Sequence, residues 1–238
     1  MEFLTEMKRA AELAKLNLSP RQLTMFAEYY EMLREGNERI NLTALTEPQD
    51  VAIKHFVDSL MAYDENIFKN GKNVVDIGSG AGFPGLPLKI YDEELCVTLM
   101  DSLGKRVHFL ENVVEELKLN DVKYVCARAE DAARDEKMRE KYDVAVSRAV
   151  APLNVLSEYV LPFVKIGGKM IALKGKKGYE EVAAATNAIK MLGGGEVTSR
   201  EVKLPIINDI RIVVTINKES TTLQKFPRRA GIPSKKPL

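Results

Sequence analysis

The chain has no tryptophan and only two cysteines and two histidines in 238 residues. Cys96 and Cys126 each sit in an apolar, strand-like run, so the pattern predicts two buried free thiols, with no disulfide and no metal site. His55 and His108 fall on helix-patterned segments, where a lone histidine is more often structural than catalytic. No Ser/His/Asp order, metal-ligand cluster or Walker-type lysine occurs, so the chemistry must do without a covalent nucleophile or a metal. No window approaches the roughly 18 uninterrupted apolar residues of a membrane helix. The start, Met1 to Lys8, carries Glu2 and Glu6 where a secretory signal would be basic, and it lacks an apolar stretch. A cytoplasmic protein with no membrane partner is expected.

The remaining composition, 45% hydrophobic and 29% charged, suits one α/β core with an accessory segment. A net charge of +1 hides an asymmetry. Residues 1–70 carry eight bases and twelve acids, whereas residues 217–238 carry six bases and one acid. The tail Phe226-Pro227-Arg228-Arg229-Ala230-Gly231-Ile232-Pro233 suits phosphate contact or an ordinary solvated terminus equally.

Residues 1–70 read as a helical segment. Leu13 and Leu16 share a face of the first helix. Ser19-Pro20-Arg21-Gln22 supplies a cap, a first-position proline and a capping-box glutamine for the second. Leu23, Phe26, Tyr30 and Leu33 then repeat at helical spacing as core. Thr46-Glu47-Pro48-Gln49 starts another helix in the same way, carrying Ile53, His55, Phe56 and Leu60. From residue 71 to 218 strands and helices alternate, with strands predicted at 73–77, 95–100, 122–127, 142–147 and 169–174. A helix is predicted at 104–119, and a terminal antiparallel pair at 196–205 and 209–217. The alternation implies a Rossmann-like α/β fold: a mostly parallel seven-stranded sheet with helices on both faces and ligand at the strands' carboxyl ends. Residues 219–238 form the basic tail.

The strand Asn73 to Ile77 runs into Gly78-Ser79-Gly80-Ala81-Gly82-Phe83-Pro84-Gly85, a turn stripped of side chains so that a ligand can lie on backbone N–H groups. The next strand ends in Asp101, placed to accept hydrogen bonds from a ribose. These features mark a nucleoside-cofactor site, and two readings of it stand. Gly80-Ala81-Gly82-Phe83-Pro84-Gly85 matches the G-x-G-x-x-G of dinucleotide-dependent oxidoreductases that use NAD or FAD. Asp76-Ile77-Gly78-Ser79-Gly80-Ala81-Gly82 resembles the first motif of Rossmann-like S-adenosylmethionine (AdoMet) methyltransferases, in which Asp76 would meet a cationic amine. The second is favoured, because Asp76 would repel a pyrophosphate.

Other residues fall at strand ends beside this turn. Arg128-Ala129-Glu130 follows the third strand, and the Ala129 N–H and Glu130 carboxylate suit adenine edges. Arg148, after the fourth strand, suits an anionic substrate. Lys174, Lys176 and Lys177 form a flexible cationic loop after the fifth. With Lys105, Arg128, Arg228 and Arg229 they make up the cations expected to contact a phosphate backbone, which the resemblance given below implies is RNA. The fourth strand lacks the Asp/Asn-Pro-Pro-aromatic turn used to methylate exocyclic amines, and neither cysteine follows a proline, as a nucleophile for pyrimidine C5 would.

Asn41-Leu42-Thr43-Ala44, His55 to Leu60, Asp76 to Pro87, Ser147-Arg148-Ala149 and Phe226 to Pro233 together resemble the GidB/RsmG family nearly end to end. These are bacterial methyltransferases acting on N7 of one guanosine in the 530 loop of 16S rRNA. The resemblance implies AdoMet contacts at Gly78, Phe83, Ala129, Glu130 and Arg148, beside Asp76, Gly80 and Asp101 from the residue pattern. It also implies 16S rRNA or the small ribosomal subunit as partner, with the protein expected to be a monomer. On this view Arg148 is the wall between cofactor and guanine, and Asn41 and His55 close over the base. The alternatives are the oxidoreductase and a non-enzymatic RNA-binding assembly factor.

Overall fold

A computed structural model describes residues 2–238, so Met1 of the acidic start lies outside the described residues. Helix α1 (Glu2–Leu13) packs beside α2 (Pro20–Ile40). The capping box forms as its residues predict: Ser19 Oγ accepts the Gln22 N–H at 3.2 Å, and Gln22 Oε1 accepts the Ser19 N–H at 2.8 Å. Leu13 is a correction: α1 buries Phe3, Met7, Ala10 and Ala11, and Leu13 lies off that stripe at 58% exposure. The next helix starts with Glu47, not Thr46, at its N-cap and with no side-chain cap bond. It runs through α3 (Pro48–Val51), a π-helical turn (Ala52–Val57) and α4 (Asp58–Leu60), with α5 (Glu65–Phe68) after it.

The alternating region then unfolds as β1 (Asn73–Ile77), α6 (Gly85–Tyr91), β2 (Cys96–Asp101), α7 (Gly104–Glu116), β3 (Val122–Cys126) and α8 (Ala129–Ala132). It continues as β4 (Tyr142–Arg148), α9 (Leu153–Val160), β5 (Val164–Lys174), α10 (Gly178–Met191), β6 (Gly194–Lys203) and β7 (Ile210–Lys218). The seven strands form one sheet in the order β3-β2-β1-β4-β5-β7-β6. Only the β5–β7 and β6–β7 pairs are antiparallel. Strand alternation sends Val74, Val144, Val146 and Ile171 into a core shared with the N-terminal helices, α6 and α7. Val75, Ala145, Met170 and Ala172 face a second core against α9 and α10.

The chain reverses its build-out between β1 and β4, and ligands in such sheets bind at the carboxyl ends beside that switch point. The cysteines are free, but neither is buried: Cys126 is exposed at the end of the edge strand β3, and Cys96 is half-buried as the first residue of β2. Residues 219–238, with α11 (Ile232–Lys235), are not a solvated tail. Phe226 is buried, and the Arg139 guanidinium holds the carbonyls of Phe226 at 2.9 Å and Thr222 at 2.7 Å. Among the described residues no helix is long and apolar enough to cross a membrane.

Candidate active site

The glycine turn is fixed from below and open above. The Gly78 and Ser79 N–H groups both donate to Met100 O at 2.9 Å, tying the end of β1 to β2. Gly78 adopts φ +75°, and a Cβ there would meet Val150 Cγ2 at 2.5 Å. Tyr29 donates its hydroxyl to Ala81 O, and a Cβ on Gly82 would lie 2.3 Å from that hydroxyl. Gly80, by contrast, has open space around its Cβ position.

Asp76 is fully buried and does not line the cavity, so it makes no direct contact there, and its Oδ1 has no hydrogen-bond partner among the described residues. Its Oδ2 accepts the Gly85 N–H at 2.9 Å at the start of α6. Burial pushes its carboxyl up to about 7, with the Gly85 N–H and Arg148 pulling the other way. The same bond removes the dinucleotide reading. The helix N-terminus that would receive a pyrophosphate is already capped by a carboxylate.

Above the turn lies a cavity of about 600 Å³, lined by Gly78, Gly80, Phe83, Asp101, Arg128, Ala129, Glu130 and Arg148, among others. Asp101 Oδ2 accepts the Gly80 N–H at 3.0 Å and lies 3.4 Å from Arg106 Nη1, while Oδ1 accepts the Leu103 N–H at 2.9 Å. A carboxylate has about four acceptor positions, so one remains on Oδ1. The N–H groups of Ala129 and Glu130 begin α8 without intrahelical partners. Glu130 Oε1 accepts the Gly231 N–H at 3.0 Å, so this carboxylate also anchors the C-terminal segment. Gly231, Ser234, Tyr159 and Arg106 complete the lining, and residue patterning missed all four. The Arg228 to Gly231 run was visible in the sequence, but where it docks was not.

One wall is built from His55, Phe83 and Arg148. Phe83 stacks on His55 with centroids 4.7 Å apart, and the Arg148 guanidinium lies 5.1 Å from the Phe83 centroid. Arg148 donates to Lys54 O at 2.7 Å, Asp58 Oδ2 at 3.0 Å and His55 Nδ1 at 3.0 Å. A guanidinium can only donate, so His55 Nδ1 accepts and its proton sits on Nε2, bonded to Thr43 Oγ1 at 2.7 Å. Burial, then the charge of Arg148, push the His55 imidazole down to about 3. The widened π turn carries both His55 and the Lys54 carbonyl to this wall, and such turns recur at functional sites. Asn41 does not join them. It is an exposed C-cap of α2 at φ +48°, and its successors Leu42 and Thr43 line the cavity instead.

The expected RNA-contacting cations divide. Lys105, Arg128, Lys176, Lys177 and Arg229 are exposed. Lys174 is 7% exposed and donates to Ala151 O at 2.6 Å and Glu181 Oε2 at 2.7 Å, because β5 stays paired with β7 through that residue. Arg228 is held by the fully buried Glu158 through Nε–Oε1 at 2.9 Å and Nη2–Oε2 at 2.6 Å. Both are internal ion-pair partners, not free phosphate ligands.

A family model described as GidB, rRNA small subunit methyltransferase G, matches residues 22–207. Proteins named ribosomal RNA small subunit methyltransferase G are similar along their whole length. That of Desulforamulus reducens is 47% identical, covering 98% of this chain and 97% of the relative, and that of Alkaliphilus metalliredigens is 45% identical over 100% of both. Among solved structures, M. jannaschii TYW2 in complex with AdoMet matches with a TM-score of 0.52 at 20% identity, covering 68% of this chain and 74% of that one. A precorrin-6y C5,15-methyltransferase from Geobacter metallireducens matches with a TM-score of 0.50 at 13% identity, covering 76% and 92%. These likenesses show the methyltransferase version of the Rossmann-like fold. With the family model matched over residues 22–207 and these relatives alike along its length, the chain belongs to the GidB family of small-subunit rRNA methyltransferases.

Proposed function

We propose that the chain transfers the methyl group of AdoMet to N7 of a guanosine in the 530 loop of 16S rRNA, acting as a monomer in the cytoplasm. The observation that carries this is the His55–Phe83–Arg148 wall at the edge of a nucleoside-sized cavity, with no free base on it. The cavity volume of about 600 Å³ lies within the roughly 300–1,000 Å³ of small-molecule sites. Its residues fit AdoMet: a bare glycine turn, a free acceptor position on Asp101 for a ribose hydroxyl, and the Ala129 N–H and Glu130 for adenine. When bound, AdoMet supplies an electrophilic methyl group on a sulfonium.

Guanine N7 has an in-plane lone pair and no proton to lose. Of the two polar side chains on the wall, Arg148 is a permanent cation and His55 is neutral with both ring nitrogens engaged. Neither takes a proton, and the wall instead fixes the angle at which a base meets the cofactor. Orientation of this kind supplies roughly 7–11 kcal/mol of a barrier. Exposed Lys105, Arg128, Lys176, Lys177 and Arg229 would hold the RNA backbone.

The test is methyl transfer from labelled AdoMet to small subunits and to free 16S rRNA, followed by nucleoside analysis and strand scission at 7-methylguanosine. Label in 7-methylguanosine, with scission in the 530 loop, is the expected result. Label in another nucleoside refutes the N7 assignment. No label on either substrate favours the assembly factor.

A further inference from the structure

A second cavity of about 560 Å³ adjoins the first, and His55, Arg148, Ala149 and Val150 line both, so a base in the second borders a cofactor in the first. From its chemistry we infer that this second cavity is the guanine pocket, with Lys174 reading O6 and Glu181 reading the N1–H and N2–H groups. The inference rests on the guanosine reading above and adds the residues that select the base.

Lys174 and Glu181 form a preset donor–acceptor pair. Lys174 Nζ spends one N–H on Ala151 O and one on Glu181 Oε2, leaving a third. Glu181 Oε2 also accepts the Leu153 N–H at 2.8 Å, and its Oε1 has no partner among the described residues. Two backbone anchors therefore hold the pair in place, while Lys174 keeps one free N–H and Glu181 Oε1 keeps two acceptor positions. Asp58, also in the lining, is turned to the guanidinium groups, its Oδ2 3.0 Å from Arg148 and its Oδ1 3.4 Å from Arg211 Nε. That Oδ1 is buried without a hydrogen bond of its own among the described residues.

The order of the groups matches guanine and not adenine. In the β4–β5 ladder Arg148 pairs with Leu173, so Lys174 follows at the carboxyl end of β5 on the opposite face, where it meets Glu181 of α10 at the cavity's other side. A guanine whose N7 faces the cofactor cavity presents, moving away from it, the O6 acceptor, then N1–H, then the N2 amine. Adenine carries a donor amine beside N7 instead, which would face the Lys174 cation. The burial of Lys174, which removes it as a phosphate ligand, is what suits it to a base edge.

The test compares 16S rRNA carrying guanosine with 16S rRNA carrying inosine at the methylated position, in single-turnover methyl transfer. Inosine keeps N7, O6 and N1–H but lacks the N2 amine. A bond to a charged acceptor is lost, so wild-type kcat/KM should fall roughly 10- to 100-fold on inosine RNA. Glu181→Ala should lower kcat/KM on guanosine RNA by a similar factor, shrink the guanosine/inosine ratio to below about threefold, and leave AdoMet affinity unchanged. Equal wild-type rates on the two RNAs would overturn the pocket assignment while leaving guanosine methylation standing, and that arm needs no variant to fold. A folded Glu181→Ala enzyme that keeps the full ratio would also overturn it. Absence of methyl transfer to guanosine RNA would remove the underlying reading itself.

Discussion

Replacing Asp76 by asparagine should raise stability at neutral pH and remove a pH dependence that the wild-type protein carries. Asp76 is fully buried, with its carboxyl pushed from 3.8 up to about 7, chiefly by desolvation. The native state therefore holds this proton more tightly than the unfolded chain does. Stability from the group is complete below about pH 4 and is lost as pH rises through about 7. Each pH unit in that window costs about 1.4 kcal/mol, on the order of 4 kcal/mol across it. Asparagine keeps an oxygen for the Gly85 N–H and cannot ionise. Urea unfolding of both proteins at pH 5, 6, 7 and 8 reads the difference directly. Asp76→Asn should gain on the wild type steadily from pH 5 to 7 and level off near pH 8. A stability difference that stays constant across the four pH values would refute the burial argument.

The other predictions concern the site and its supports. His55, held down at about 3, refuses a proton that the unfolded chain accepts near 6.5, so stability should fall as pH drops from 6.5 towards 3. His55→Gln should flatten that limb in a thermal-unfolding series. Arg228→Ala should destabilise by about 3 kcal/mol or more, because it leaves the buried Glu158 carboxylate unpaired, as denaturant midpoints would show. Arg229→Ala should instead leave stability within about 0.5 kcal/mol. It should flatten the slope of log K for RNA against log salt by roughly 0.7–0.9. Gly80→Asp should cost about 1 kcal/mol for its φ of +58°, a region Asp tolerates better than most. It should keep the fold, since only Gly78 O comes within 4 Å of its Cβ position, but should abolish thermal stabilisation by AdoMet.

Local pattern carried much of the fold to the page. The β-branched alternation around Val74 and Val144, the capping box at Ser19 and the glycine turn ending under Asp101 all depend on neighbours within a few residues. The π turn at Ala52–Val57 has no such signature, since Ile53, His55 and Phe56 also suit an ordinary helix. Misplaced cations share one cause. Arg228 meets Glu158 across 70 residues and Lys174 meets Glu181 across a loop, so a charge run read as solvated was internally neutralised. The pattern places Asp76 as an acid beside the turn but does not show its bond to the Gly85 N–H, which depends on how α6 packs back. Glu130 was placed beside the cavity, yet its bond to Gly231, 101 residues away, lay beyond any local signal.

The central claim is methyl transfer to a base nitrogen that has no proton to lose, through a wall that orients and does not titrate. Its most direct test is the single-turnover rate of methyl transfer with saturating RNA and AdoMet, measured from about pH 6.5 to 9. His55 lies far below that range and Arg148 stays charged throughout, so the rate should be flat. A rate that climbs tenfold per pH unit in the wild type and in Asp76→Asn alike, which removes the carboxyl that titrates near 7, would show a required deprotonation and contradict N7 as the acceptor atom.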